Sequence, residues 1–164
     1  SIDRLAEAEI PEELFTKVTA GDQISVGSMT VHSVWAKPQE GVPKEKIQPP
    51  DVQHLGYVVS GPVNLYISGD PINTFSEHNE LLQPIASLQP EIGLLTTHPT
   101  EGEFPFFSGS VETALKLGLE SVIPAHYACF VKRTYNPNDW VAAFPEFGPR
   151  QIIIPYNDYV VYPD

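Results

Sequence analysis

Basic residues, cysteine and long apolar runs are scarce in this sequence, and each shortage excludes or disfavours a class of function. The 164 residues include nine Lys and Arg against 21 Asp and Glu, which gives a formal net charge of -12 at pH 7. Because phosphate binding depends on clustered cations, this balance disfavours a nucleic-acid partner and a nucleic-acid processing enzyme. Cys129 is the only cysteine, so no disulfide can form within the chain and an oxidising compartment is not implied.

The sequence also lacks the segments that direct proteins into membranes. It has no basic stretch followed by an apolar run at its N-terminus, and no apolar stretch approaches the ~20 residues that span a bilayer. We therefore expect a cytoplasmic protein with no membrane partner. With 41% hydrophobic and 18% charged residues, residues 1–164 should fold as a single globular domain.

Apolar patterning predicts a chain of mixed α/β character. Alternating apolar positions predict antiparallel strands within 23–35 and a hairpin that pairs 54–59 with 63–67. Residues 92–96 and 121–123 have the pattern of buried strands, and a short helix lies between them. Two strands joined by a helix in this way are expected to be parallel.

Capping residues and prolines set the expected limits of the helices. The helix between the two buried strands should begin at an N-cap Ser110 and end at Gly118. Leucine and isoleucine spacing predicts another helix over 81–88, kinked or split by Pro84. Asn136 followed by Pro137 is typical of the start of a third helix. Residues 151–154 and 159–162 are predicted to close the chain as strands.

Two metal-binding side chains follow directly after two of the predicted strands. Asp70 comes after the second strand of the hairpin, and His126 comes after the strand that begins near Ser121. Carboxylate oxygen and imidazole nitrogen are ligands that zinc, manganese and iron share. Sites in open α/β sheets collect beyond the carboxyl ends of strands, so the two side chains should meet on one rim. Such a metal needs at least three protein ligands, so this pair makes part of a site.

Further residues are candidates for a substrate pocket beside this pair. Two of them follow the strand over 92–96, one belongs to a loop rich in phenylalanine, and two are cations that could meet a phosphorylated substrate: Thr97, His98, Phe106, Lys132 and Arg133. The simpler alternatives are a capping role for His98, a loop that packs its own aromatics, and a pair of surface cations. His32, His54 and His78 are expected to be structural or solvated rather than catalytic.

Several segments resemble the second half of the metallo-β-lactamase superfamily. They are ISGD at 67–70, PEIGLL at 90–95 and IPAHY at 123–127, and the resemblance runs from about residue 10 to the C-terminus. It is closest to the L-ascorbate-6-phosphate lactonases. The resemblance implies half of an αββα sandwich, with a mixed sheet and helices mainly on one face. It also implies that Asp70 bridges two metal ions and that His126 binds one of them.

The first-half signature of that superfamily, HxHxDH, occurs nowhere in the sequence. The resemblance therefore implies a C-terminal half, with the N-terminal half supplied by a separate, cleaved or additional segment. The implied activity is hydrolysis of a small lactone or ester, with or without a phosphate group, by hydroxide activated on one or two divalent ions of zinc, manganese or iron. We expect the chain alone to be inactive and to aggregate or form a homo-oligomer. The alternative is a non-catalytic interaction domain derived from the same fold.

Overall fold

A mixed seven-stranded sheet organises the chain. The computed structural model describes residues 11–46, 48–49, 53–97, 107–128, 134 and 136–163. The strands are β1 (Gln23–Val26), β2 (Met29–Trp35), β3 (Leu55–Ser60), β4 (Leu65–Ile67), β5 (Ile92–Thr96), β6 (Ser121–Ala125) and β7 (Arg150–Gln151). The helices are α1 (Asn79–Ala86), α2 (Phe107–Leu117) and α3 (Pro137–Val141), with short 3₁₀ turns at Glu12–Leu14, Pro43–Glu45 and Phe75–Glu77.

The strands lie in the sheet in the same order as in the chain. Strands β1 to β4 pair antiparallel, as the predicted meander and hairpin require. From β4 onward the pairing is parallel through β5, β6 and β7. The prediction that β5 and β6 are parallel is confirmed, and α2 connects them because parallel neighbours need a crossover. The expected α/β fold with a mixed sheet is present.

One face of the sheet carries the helices and the core. Val58, Tyr66 and Val122 share this face through the pairing register and are fully buried. They belong to one hydrophobic cluster with helix residues that include Leu82, Ile85, Ala114, Leu117 and Trp140. Helix α1 presents Leu81, Leu82 and Ile85 as its buried residues, at the spacing that puts side chains on one helical face. The predicted placement of helices on one face follows from this packing.

The opposite face, which we call the open face, is apolar but only half-buried. Its side chains alternate with those of the core face and lie side by side across four strands: Tyr57, Val59, Leu65, Ile67, Leu94 and Ile123. Among the described residues, the hydrophobic core cluster includes none of these six. The sheet is thus packed on one side, and its other side consists of apolar residues that water still reaches.

The helix limits agree with two of the three predicted caps. Gly118 follows α2 with φ +65, the left-handed conformation that ends helices. Asn136 caps α3 by accepting a hydrogen bond from the Asn138 amide at 3.0 Å. Pro84 lies inside α1. None of the helices in the described part of the chain is both long and apolar enough to cross a membrane.

The prediction that Ser110 is an N-cap was wrong. Helix α2 begins at Phe107 and so contains Ser110 in its first turn. The hydroxyl of Ser110 instead accepts a hydrogen bond from the indole nitrogen of the fully buried Trp140, at 2.7 Å. Tertiary contact with α3 therefore explains this serine, and sequence spacing alone could not show it.

The predicted strands at the C-terminus were also largely wrong. Strand β7 ends at Gln151, and residues 159–162 form no strand. The Ile152 amide still donates to the Val122 carbonyl at 2.8 Å. The next bond of a parallel ladder would run from residue 124 back to the Ile152 carbonyl, but that residue is Pro124, which has no N–H. The proline in β6 therefore ends the pairing with β7.

Replacing Ser110 by alanine should destabilise the protein, because the buried indole N–H of Trp140 would lose its acceptor. Leaving such a donor unpaired costs about 1–3 kcal/mol. Chemical denaturation of both proteins measures the difference in the free energy of unfolding. Ser87→Ala is the control, since Ser87 is exposed and bonds only within its own helix end. Equal midpoints for Ser110→Ala and the parent chain would contradict the role of this bond.

Candidate functional site

Asp70 and His126 meet at the carboxyl edge of the parallel strands. Asp70 Oδ1 lies 3.0 Å from His126 Nδ1. The two side chains belong to the segments that follow β4 and β6, which flank β5 on either side. Because parallel strands run in the same direction, their carboxyl ends share one rim. The structure thus brings together the two residues that the sequence singled out.

A close approach of two backbones sets the turn into Asp70. Gly69 adopts φ +62, and a Cβ atom there would overlap the Leu55 carbonyl oxygen of β3. A Cβ at Gly56 would lie 2.9 Å from the carbonyl oxygen of Ile67. Both positions therefore need glycine, one for its backbone angle and its space, the other for space alone. The ISGD segment holds Asp70 at the rim because β3 and β4 pack backbone against backbone here.

His126 is placed by an unusual backbone conformation. Its φ of +62 lies in the left-handed region, which costs free energy for a residue with a side chain but is less rare for histidine than for most residues. The Ala125 carbonyl just before it accepts hydrogen bonds from Thr97, from the amide at 3.1 Å and from Oγ1 at 3.2 Å. Backbone outliers of this kind cluster at functional sites.

The pair opens into a shallow cavity of about 360 Å³. Ile67 and Leu94 of the open face form part of its wall, and the rim residues Ser68, Gly69, Asp70, Thr96, Ala125 and His126 form the rest. The side chains of Asp70 and His126 are 48% and 25% exposed. A ligand in this cavity would therefore reach a carboxylate and an imidazole while contacting apolar residues of the open face.

The donor set fits a divalent metal in kind but not in number. One carboxylate and one imidazole are suitable ligands for zinc, manganese or iron. No group of three or more His, Cys, Asp or Glu side chains suited to a metal occurs within the part of the chain that the structure describes.

Of the predicted pocket residues, the structure describes Thr97 alone. Thr97 is fully buried and does not line the cavity; its side chain bonds to the Ala125 carbonyl. Its contact with substrate stays a prediction. His98, Phe106, Lys132 and Arg133 lie outside the described residues. Thr96, which its place at the end of a predicted strand put near the rim but which was not among the predicted pocket residues, forms part of the cavity wall.

The other described histidines lie away from this cavity. His78 Nδ1 contacts Glu80 Oε1 at 2.8 Å. The pKa of Glu80 is held below its usual value, chiefly because its carboxylate accepts a hydrogen bond from the Glu80 backbone amide and secondly because it bonds to His78. His32 lines a second cavity of about 310 Å³ that residues of β2 and α1 share. Neither histidine, nor His54, lines the cavity of Asp70 and His126, and their structural or solvated role stays a prediction.

Comparison with solved structures identifies the fold. The chain superimposes on Igni18, a metallo hydrolase from the archaeon Ignicoccus hospitalis, with a TM-score of 0.59 and 14% identity over 85% of this chain. It matches the isothiocyanate hydrolase from Delia radicum gut bacteria with a TM-score of 0.59 and 15% identity over 84% of this chain. It matches the metallo-β-lactamase fold protein YhfI of Bacillus subtilis with a TM-score of 0.51 and 10% identity over 91% of this chain.

These similarities show a shared fold rather than a shared activity, because the identities are low. The chain spans 57% of Igni18, 56% of the isothiocyanate hydrolase and 59% of YhfI. No protein-family model and no curated protein sequence matches the chain. The architecture is therefore that of part of a metallo-β-lactamase fold, as the sequence resemblance implied.

Replacing Gly69 by alanine should disturb both the fold and the rim. The left-handed conformation costs an alanine about 1–2 kcal/mol, and the overlap with the Leu55 carbonyl adds about 1–3 kcal/mol of overpacking. Gly27→Ala is a matched control, because Gly27 has φ +61 and no atom within 4 Å of the added Cβ. Denaturation curves should show a larger loss of stability for Gly69→Ala than for Gly27→Ala. Equal losses would mean that the β3–β4 approach does not require glycine.

Proposed function

We propose that this chain supplies part of the active site of a metal-dependent hydrolase, with Asp70 and His126 as metal ligands. The observation that carries the proposal is the 3.0 Å contact between the Asp70 carboxylate and the His126 imidazole. Two elements far apart in sequence hold these groups at one rim, and both use backbone conformations that are rare or need glycine. The fold supports the proposal, since Igni18, which shares it, is described as a metallo hydrolase.

The two side chains have distinct parts in this proposal. Asp70 supplies two carboxylate oxygens, which suits it to bridge two ions and offset their charge. His126 binds as a neutral imidazole, so it must be unprotonated when the metal enters. A divalent metal held by these residues would lower the pKa of a bound water to about 7 and so make hydroxide available for hydrolysis. Ile67 and Leu94 form an apolar wall beside the two groups.

The open face is where we propose that the missing ligands are brought in. A second sheet with its own apolar face, carrying the HxHxDH ligands, would cover the six residues of the open face. The cavity beside Asp70 and His126 shares Ile67 and Leu94 with that face, so a sheet docked there would reach the site. This N-terminal half is supplied by a separate, cleaved or additional segment. The lengths of the structural neighbours, of which this chain spans 56–59%, support such a partner.

We propose a small lactone or ester, with or without a phosphate group, as the substrate. The support is the resemblance of the segments at 67–70, 90–95 and 123–127 to the L-ascorbate-6-phosphate lactonases. Substrate contact by Thr97, His98, Phe106, Lys132 and Arg133 belongs to this proposal, as does a cytoplasmic location. The net charge of -12 is unsuited to a polyanionic substrate such as nucleic acid.

A non-catalytic interaction domain is the second candidate. It is favoured by the finding that the described residues contain no third metal ligand beside the pair. In that case the open face serves binding alone, and the contact of Asp70 with His126 stabilises the rim. Metal binding separates the two candidates, because only the hydrolase requires it.

Asp70→Asn should weaken metal binding by about tenfold or more, because a neutral amide offsets less of the cationic charge. Isothermal titration with zinc and with manganese at neutral pH measures the affinity of each variant. Asp139→Asn is the control, since Asp139 is an exposed carboxylate on α3. If the chain binds neither metal at millimolar concentration even together with the segment that carries the HxHxDH ligands, the interaction domain becomes the better account. Equal affinities for the parent and Asp70→Asn would rule out Asp70 as a ligand.

The open face should make the isolated chain self-associate, because its six apolar side chains then have no covering layer. A charge in their midst, as in Val59→Lys or Ile123→Lys, should shift the chain toward monomer in sedimentation velocity. Val161→Lys is the control, since Val161 is 65% exposed and belongs to the C-terminal segment instead. A parent chain that is monomeric and unfolds cooperatively would show that no second layer is needed.

A further inference from the structure

Two consecutive threonines at the end of β5 each bond to the peptide that precedes one of the two candidate ligands. Thr96 Oγ1 donates to the Gly69 carbonyl at 2.5 Å, and that carbonyl belongs to the peptide joining Gly69 to Asp70. Thr97 Oγ1 donates to the Ala125 carbonyl at 3.2 Å, in the peptide joining Ala125 to His126. We infer that Thr96 and Thr97 are positioning residues that fix the separation of Asp70 and His126. The part of this inference that concerns metal rests on the proposed function.

The place of β5 between β4 and β6 explains why residues at its end can bond to the segments that carry both candidate ligands. It pairs with β4 on one edge and with β6 on the other. Regular ladder bonds end with β4 at Ile67, and Asp70 and His126 both lie past the last paired residues. At the rim the backbone bonds from Ser68 to Leu94 and from Thr97 to Ala125 are supplemented by the two threonine hydroxyls.

Each threonine is also fixed by a second hydrogen bond. The Thr96 amide donates to Ser68 Oγ at 2.9 Å, while the Ser68 amide donates to the Leu94 carbonyl at 3.0 Å. The Thr97 amide donates to the same Ala125 carbonyl that its hydroxyl contacts, at 3.1 Å. Thr96 and Thr97 are 4% and 0% exposed, so water competes little for these bonds. Buried hydroxyls on residues whose amides are also bonded hold their partners more rigidly than exposed hydroxyls do.

Each of the two bonded peptides adjoins a residue whose φ lies in the left-handed region. Gly69 has φ +62, and His126 also has φ +62. A bond to the carbonyl on the N-terminal side of each ligand limits rotation of the peptide from which the ligand projects. Without these bonds the histidine in particular could relax toward an ordinary backbone conformation. The ring and the carboxylate would then no longer be held at 3.0 Å.

The test uses Thr96→Val and Thr97→Val, which keep the side-chain shape and remove the hydroxyl. Thr96→Ser and Thr97→Ser keep the hydroxyl and should behave like the parent.

The matched control is Thr113→Val. Thr113 is buried, and its hydroxyl likewise donates to a backbone carbonyl, that of Gly109 at 2.8 Å in α2. Thr113→Val should lose stability without changing the rim. If a valine variant does not fold, the corresponding alanine variant is measured instead. If neither variant folds while the serine variant does, the hydroxyl serves the fold alone, and the positioning role is overturned.

The first measurement is the nitrogen-15 NMR spectrum of the His126 ring in the metal-free protein. The parent and the serine variants should give one sharp set of ring signals, and the valine variants should give shifted or multiple sets. The second is zinc and manganese affinity, which should fall about tenfold in the valine variants, the lower end of what loss of ligand-orienting bonds costs. His126 signals and affinities that match the parent in both valine variants would overturn the inference. If the parent binds no metal even together with the segment that carries the HxHxDH ligands, the proposed function fails, while the ring spectra still decide the positioning role.

Discussion

The parallel pairing of β4, β5 and β6 is the constraint on which the candidate site depends. If β5 ran antiparallel to its two neighbours, its own end, with Thr96 and Thr97, would lie at the opposite edge from the segments after β4 and β6. Parallel pairing instead requires a crossover between successive strands, here made by α1 and by α2, and it delivers both chain segments to one rim. The same crossovers put the helices on one face, so the position of the site and the exposure of the open face have one cause.

The pairing also explains how much of this arrangement was readable in the sequence. Strands β5 and β6 are short apolar runs on either side of an amphipathic helix, and this pattern predicts both their direction and the edge where Asp70 and His126 meet. Gly118 and Asn136 were readable for a similar reason, because each acts through its own backbone or its near neighbours. Local chemistry and strand order together sufficed for the fold and for the two candidate ligands.

The failures came where distant residues decide the structure. Ser110 looked like a cap, but its hydroxyl is used by Trp140, thirty positions away. The apolar run over 151–154 looked like a strand, but its neighbour in space is Pro124, which cannot donate the next ladder bond. The bond of Thr96 was not predicted because its partner, the Gly69 carbonyl, is twenty-seven positions earlier. Each error concerns a hydrogen-bond partner that spacing along the chain does not reveal.

Pro124 also limits the ways in which copies of this chain could associate. Fibrils grow when strands add to both free edges of a sheet without end. On the β7 side, the ladder stops within two residues of its start, and the proline offers no donor to a strand from another molecule. Contact through the open face would instead stack one sheet on another, and face-to-face packing of this kind adds no strand to either edge.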